Sequence, residues 1–240
     1  MQKAHQPLSD RIILVAGNAS HLSQGIIKPF LQAGATVIAP AISLQDIRNL
    51  ENYVARITTG RLITQLLDVP DFDQIAAFTE TIREKFGRLD LAVATIDSTV
   101  NSEGLSEVEL EDWQEMLEQD INLFFTCARI TLPLLKQTPN ALFVSACLGS
   151  YPESAEPESL ATLADTIRTS MARLFALEAR QHHTRYYYLR VPRPLTDKAG
   201  LIAGQPSLLP NYDLVGEYII QLYSEPTTKE RNVFPSIALC

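Results

Sequence analysis

The chain has 240 residues, 46% hydrophobic and 20% charged, the balance of an ordinary soluble globular protein long enough to bury one sizeable core. Its formal net charge of −8 argues against broad affinity for nucleic acid or an anionic membrane surface. No apolar run is long enough to span a bilayer, and the start, MQKAHQPLSDRIILVAG, lacks the apolar core and small-residue cleavage site of a signal peptide. Cys127, Cys147 and Cys240 are too few and too scattered for a disulfide framework or a metal site, so a cytoplasmic protein without metal is expected.

Apolar strand-like runs alternate with helix-period segments over nearly the whole length. Ile12-Ile13-Leu14-Val15 predicts a first strand running into Gly17, and Ser23 to Ala33 a helix with Ile26, Ile27, Phe30 and Leu31 on one face. Thr36 to Ala39 reads as the second strand, followed by a helix capped by Ser43, with Asp46 three residues on and Ile47, Leu50 and Val54 inward. Leu62 to Leu67 is the third strand. Ile75, Phe78, Ile82 and Phe86 then recur at helical spacing, and Leu89 to Ala94 is the fourth strand.

Glu109 to Leu135 predicts one long helix with Trp113, Met116, Leu117 and Ile121 on a stripe, before a fifth strand at Ala141 to Ser145. Leu163, Ile167, Met171 and Leu174 mark another long helix. Tyr186 to Val191 is the sixth strand, Leu214 to Tyr223 a short helix, and Val233 to Leu239 a last strand. The Pro-rich stretch Pro192 to Pro210 is the one long segment without periodicity and is expected as a loop near the ligand-binding edge of the sheet. Such alternation implies right-handed crossovers, hence an α/β, Rossmann-like, doubly wound parallel sheet with helices on both faces, in a single domain over 1–240.

Several segments fit a known pattern in both type and spacing. FGRLDLAVA matches a strand entry of the form F-G-x-[LI]-D-x-L-V-N, and Leu67-Asp68-Val69 an L-D-V/T segment. Glu111-Asp112-Trp113 matches an E-D-W that opens the fourth helix, Thr131-Leu132-Pro133 falls at an A-L-P, and Ala176-Leu177-Glu178 at an A-L-E near the end of the fifth. With these matches the chain resembles the short-chain dehydrogenase/reductases over essentially all of its length. The resemblance implies an NAD(P)-dependent oxidoreductase, and it locates the positions on which that activity depends.

Most of those positions are altered. The family's T-G-x-x-x-G-x-G falls at Ala16-Gly17, of which Gly17 survives while the other two glycines become His21 and Ser23. Those glycines let the backbone approach a pyrophosphate and pack the helix tightly on the strand, so His21 is expected to obstruct the first role and Ser23 to disturb the second mildly. The helix N-terminus still offers free N–H groups, which weakens rather than abolishes anion binding. The end of the second strand, where an acid would hold the ribose of NAD or an arginine the phosphate of NADP, reads Pro40-Ala41-Ile42, and the N-N-A-G reads Ala94-Thr95-Ile96-Asp97. By the resemblance, Asp68 and Val69 would meet the adenine. Gly17, His21, Ser23, Asp68 and Val69 are therefore the candidate cofactor residues.

The catalytic positions have changed further. Counting back from Ala176-Leu177-Glu178, the family's acid/base Tyr and its Lys fall at Ala161 and Asp165. The Ser falls at Ala146, with Ser145 one residue earlier, the Asn at Asp120, with Asn122 close by, and the P-G after the sixth strand reads Pro192-Arg193. Ala161 has no proton to give, and a carboxylate at Asp165 opposes the charge pattern that a phenolate needs. No Tyr-x-x-x-Lys occurs anywhere in the chain, and Tyr151 is followed four residues later by Ala155, so the loss does not depend on register. The haloalcohol dehalogenases, a related branch that also gave up the nucleotide, keep a Ser-Tyr-Arg triad that is missing at these positions.

Other constellations carry less. Asp97, Asp120, Asp165, Arg190 and Arg193 would lie near the cleft, where they are expected as separate surface charges, the alternative being a new polar site or an ion-pair network that plugs the old one. His182-His183 reads as a solvated helix end. Tyr186 and Tyr188 share one face of their strand and Tyr187 the other. The long fourth and fifth helices are the surfaces on which this family builds dimers and tetramers. Ala161, Ala164, Ile167, Arg168 and Met171 are expected to leave a mixed face for such packing. The expectation is therefore a non-catalytic family member, a binding, regulatory or structural subunit that is at least a homodimer and has room for a small-molecule ligand. The alternative is an NAD(P)-dependent oxidoreductase acting through non-standard residues.

Overall fold

A computed structural model describes residues 6–18, 20–67, 71–97, 104–149, 159–192 and 212–225. Six parallel strands lie in the order β3-β2-β1-β4-β5-β6. They are β1 (Ile12–Gly17), β2 (Thr36–Ala41), β3 (Arg61–Leu66), β4 (Leu91–Asp97), β5 (Leu142–Gly149) and β6 (Arg185–Pro192). The reversal of strand direction of growth between β1 and β4 is the doubly wound arrangement that the alternating sequence implies.

Each central strand is apolar on both faces, because helices cover both. From β1, Ile12, Leu14 and Ala16 enter one core layer with Phe124, Ala128 and Ala172, whereas Ile13 and Val15 enter the other with Phe30, Leu50 and Val215. The first layer lies under α3 (Phe72–Phe86), α5 (Leu123–Leu135) and α6 (Ser159–Gln181). The second lies under α1 (Ser20–Gln32), α2 (Leu44–Val54) and α7 (Asp213–Ser224). On β6, Tyr186 and Tyr188 face the first layer and Tyr187 the second, as strand alternation requires.

Local chemistry sets the boundaries. Ser43 caps α2, its Oγ accepting from the Asp46 N–H at 3.1 Å, and Asp71 caps α3 by accepting from the N–H groups of Asp73 and Gln74. Gly87, at φ 67°, ends α3 in the left-handed conformation that a side chain would resist. Helix α1 begins at Ser20, earlier than the apolar spacing places it, because fully buried Leu22 already belongs to its inner face.

Strand β2 continues past Ala39 through Pro40 to Ala41, pairing with β3 as far as Ala41↔Leu66, while its pairing with β1 stops at Leu14↔Ile38. The missing Pro40 N–H therefore costs no ladder bond to β1. Strand β1 goes on pairing with β4 up to Gly17↔Thr95. So β1 and β2 part at their C-terminal ends, and a cleft opens above the gap.

The expected single helix from Glu109 to Leu135 is instead α4 (Leu110–Met116), a π-helical turn (Leu117–Asn122) and α5. Apolar periodicity does not reveal such a turn, which widens the ladder by one residue. The expected strand Val233 to Leu239 and the loop from 193 to 210 lie outside the described residues. No helix among the described residues is long and apolar enough to cross a membrane.

Candidate ligand cleft and catalytic positions

The cleft at the parted strand ends has a volume of about 460 Å³, within the roughly 300–1,000 Å³ usual for small-molecule sites. Its apolar wall is Ile27 from α1, Ala39 to Ile42 from the end of β2, and Leu50 from α2. Gly17, Asn18, Ser23 and Gln24 line the β1–α1 side, and Gln119 and Leu123 close it from the π turn and α5. Among the described residues, Asp46 is the single charged side chain lining it.

Gly17 has no room for a side chain. At φ 149°, an added Cβ would lie 1.8 Å from the Thr95 carbonyl oxygen on β4. Ser23, at the third glycine position, turns inward and is satisfied. Thr95 donates to the Ala16 carbonyl at 3.4 Å, leaving its oxygen to accept from the Ser23 hydroxyl at 2.7 Å. His21, the expected obstruction, is exposed on the first turn of α1 and is not among the cleft-lining residues. Asp68 and Val69 lie outside the described residues.

Asn18 was not signalled by any motif, yet it organises the β4 side of the cleft. Its amide nitrogen donates to the carbonyls of Asp97 at 3.2 Å and Gln119 at 2.7 Å, and its oxygen accepts from the Asp97 N–H at 2.8 Å. Gln119 lies in the π turn. One side chain thus clasps the β1–α1 loop, the end of β4 and the helix packed behind it.

The four family catalytic positions do not form one constellation. Ala146 on β5 faces the second core layer, between Thr95 of β4 and Leu189 of β6. Ala161 is half-buried on α6. Ser145, next to Ala146, faces the opposite layer and shares a 2.9 Å hydrogen bond with the Tyr186 hydroxyl.

Asp120 and Asp165 do meet, through an arginine. Arg168 of α6 forms an ion pair with Asp120 of the π turn, both being about 1% exposed. The Arg168 Nε donates to the Tyr188 hydroxyl at 3.4 Å, which donates to Asp165 at 3.0 Å, and Asp165 accepts from Arg190 at 2.7 Å. Three of the charges expected to be separate surface groups are therefore one network. Asp97 ends β4, its backbone N–H donating to Asn18, and Arg193 is outside the described residues.

The reason is a correction to the helix face. Ala164 and Arg168, read as facing a partner, lie on the buried stripe of α6 with Leu160, Ala172 and Ala179. An arginine in an otherwise Leu/Ala i, i+4 series was the available signal, since a charge there needs a buried partner.

The electrostatics suit a structural role. Burial opposes the Arg168 charge, but the acidic groups around it, Cys147, Tyr188 and Asp120, outweigh this and hold it above the ordinary arginine value. Burial also pushes up the Tyr188 and Tyr186 hydroxyls, so neither is poised to ionise near neutrality. Cys127 and Cys147 are buried free thiols, pushed up to about 12 by desolvation. Among the described residues no group of three or more His, Cys, Asp or Glu could hold a metal ion. His182 and His183 are exposed beyond α6.

A family model described as enoyl-(acyl carrier protein) reductase matches residues 16–188. The chain is 26% identical over 196 residues to the 3-oxoacyl-[acyl-carrier-protein] reductase FabG of Thermotoga maritima, covering 80% of this chain and 78% of that protein. It is 28% identical over 154 residues to a 3beta-hydroxysteroid dehydrogenase of Mediterraneibacter gnavus, a match that spans 61% of this chain and only 54% of that enzyme. Among solved structures, an alcohol dehydrogenase of Thermococcus sibiricus complexed with 5-hydroxy-NADP shares the fold at a TM-score of 0.72 and 19% identity, covering 94% of each chain. A short-chain oxidoreductase of Pseudomonas aeruginosa, described as containing an atypical catalytic center, does so at a TM-score of 0.67 and 23% identity, covering 77% of this chain and 70% of that one. The strand order, the parted strands above the cleft and these matches agree: the chain belongs to the short-chain dehydrogenase/reductase family.

Proposed function

We propose that this family member is a binding protein that performs no hydride transfer, holding a small molecule in the cleft between β1 and β2. The observation that carries this reading is the fate of the catalytic positions. The cleft persists, but Ala146 and Ala161 offer no exchangeable proton, and Asp120 and Asp165 are neutralised by Arg168 and Arg190. A general acid needs a titratable group within hydrogen-bond reach of the reacting atom, and the Tyr186 and Tyr188 hydroxyls are buried and committed.

The second reading is an NAD(P)-dependent oxidoreductase working through other residues. It is favoured by the reductase and dehydrogenase relatives, and by the atypical center described for the Pseudomonas protein. The two readings separate in one assay, consumption of NADH or NADPH by concentrated protein with a panel of ketones, aldehydes and enoyl thioesters. The binding-protein reading expects a rate equal to the protein-free control, and turnover overturns it.

We also propose that the protein is a homodimer, or a tetramer built from such dimers, joined through α5 and α6, and that it works in the cytoplasm. Leu174 and Leu177 are 68% and 57% exposed on α6 beside Phe125 of α5, which is 45% exposed. Phe125 packs on Phe175 at 5.9 Å between ring centroids, extending this apolar surface. The buried, unoxidised pair Cys127 and Cys147 suits a reducing compartment.

A further inference from the structure

At the end of the sheet opposite the cleft, three arginines gather around one carboxylate. Arg11 precedes β1, Arg88 lies in the turn between α3 and β4, and Arg185 opens β6. Asp90, just before β4, is fully buried and accepts from the Ile12 N–H at 2.9 Å, from Arg11 at 3.2 Å and from both arms of the Arg88 guanidinium. Tyr223 of α7 completes the cluster, with the Arg11 and Arg185 guanidiniums 5.9 and 5.6 Å from its ring centroid.

The charges here are matched differently from those around Arg168. There two arginines meet two aspartates, whereas here three share one, with exposed Asp10 the other acid whose field reaches Arg88. Arg185 has no carboxylate partner among the described residues. Its Nη atoms donate to the carbonyls of Leu222 at 2.6 Å and of Asn140 and Tyr223 at 3.1 Å, and its buried Nε has no acceptor. Desolvation without a counterion holds this guanidinium below the ordinary arginine value. The Arg11 and Arg88 side chains are 40% and 43% exposed, and each keeps N–H groups that Asp90 does not use.

We propose that this cluster is a binding site for a phosphoryl group, carried by inorganic phosphate or by a small phosphomonoester. The anion bridges Arg11 and Arg88 beside Tyr223 and brings Arg185 the countercharge it lacks. Planar guanidinium forks match phosphoryl oxygens, and a dianion offsets the excess of cations better than a monoanion does. Because the cluster joins the starts of β1, β4 and β6 to the end of α7, occupancy also ties that helix to the sheet.

The test is calorimetric titration of the whole chain with inorganic phosphate, glycerol 3-phosphate and acetate at constant ionic strength, with thermal denaturation in parallel. Saturable binding of phosphate or of the monoester is expected, with a dissociation constant of about 1 mM or tighter, and the tighter of the two names the source of the group. Acetate is expected to bind at least about tenfold more weakly. At about 20 mM, the bound anion should raise the melting temperature by about 2–6 °C over chloride. Phosphate also stabilises proteins by exclusion from their surface, so variants decide the origin of the shift. Arg11→Gln leaves Asp90 its bonds to Arg88 and the Ile12 N–H, and should lose most of the binding and of the shift. Arg48→Gln, which removes an exposed arginine from α2, should keep both.

Heats that do not saturate below about 20 mM with either phosphoryl ligand mean an adventitious ion only, and overturn the proposal. So does acetate binding as tightly as phosphate. A shift that survives unchanged in a folded Arg11→Gln variant, or falls equally in Arg48→Gln, overturns the assignment to this cluster. The titration of the native chain stands on its own if Arg11→Gln does not fold.

Discussion

Replacing Arg168 by methionine removes the guanidinium but keeps much of the apolar stem in place. Asp120, about 1% exposed, is then left as a buried carboxylate with no cation, one of its oxygens already lacking a partner. Breaking a buried ion pair from one side costs about 3–5 kcal/mol, because the remaining charge is neither solvated nor paired. For a chain of this size, about 2–4 °C of melting temperature is lost per kcal/mol, so Arg168→Met should melt about 6–20 °C lower. Asp165 keeps Arg190 and the Tyr188 hydroxyl and softens the loss only at its own end of the network.

The double variant Asp120→Leu/Arg168→Met removes both charges together. It should recover to within about 1 kcal/mol of the native protein, since an apolar pair of similar volume replaces a buried ion pair without net loss. Urea denaturation of the four proteins in the cycle measures each term, including the coupling between the two residues. If Arg168→Met were as stable as the native chain, or the double variant less stable than the single, the charges would not be holding the π turn to α6.

Further outcomes follow from other parts of the structure. Gly17→Ala places a Cβ against the Thr95 carbonyl at an unfavourable φ, and should destabilise by about 2–4 kcal/mol or prevent soluble expression, read from thermal denaturation. Ser43→Ala removes the cap of α2 and should cost about 1 kcal/mol in a urea titration. Leu174→Glu with Leu177→Lys should convert a dimer to a folded monomer in size-exclusion chromatography with light scattering. A dimer that survives both changes would place the interface elsewhere. The thiols of Cys127 and Cys147, pushed up to about 12, stay protonated in the folded state while unfolded thiols ionise near about 8.5. The folded state then binds more protons, so stability should fall as pH rises from about 8.5 towards 12. Peptide mapping after alkylation at neutral pH should find both residues unlabelled until urea is added.

The strands were legible because a sheet covered on both faces demands continuous apolar runs, and Ile12 to Val15 or Leu89 to Ala94 can hardly be anything else. Caps were legible at Ser43 because their chemistry is local. What periodicity could not carry was any feature settled by a distant neighbour. The π turn at Leu117–Asn122 leaves the apolar pattern almost unchanged. Strand β2 survives Pro40 only because β1 has already diverged.

The family spacing assigns the catalytic positions to Asp120, Ala146, Ala161 and Asp165, but the sequence could not say what those residues do in the fold. Asp120 acquires its role through Arg168, a side chain that helical counting had placed on the outer face, and Asp165 acquires its own through Arg190 and the Tyr188 hydroxyl. His21 is a different case: a motif position marked as an obstruction is exposed on the first turn of α1, outside the residues that line the cleft. Asn18, with no motif to flag it, ties the β1–α1 loop to the end of β4 and to the π turn.

The most direct test of the central claim is isotope transfer. The purified chain, at concentrations near those of the reactants, would be incubated with NADH and NADPH carrying deuterium on the transferable position, together with carbonyl and enoyl thioester acceptors, and the products examined by mass spectrometry. A cleft uncoupled from hydride chemistry predicts no label in any product beyond the protein-free control. Label that rises with protein concentration would contradict the account, and would mean that a donor other than the lost tyrosine completes the reaction.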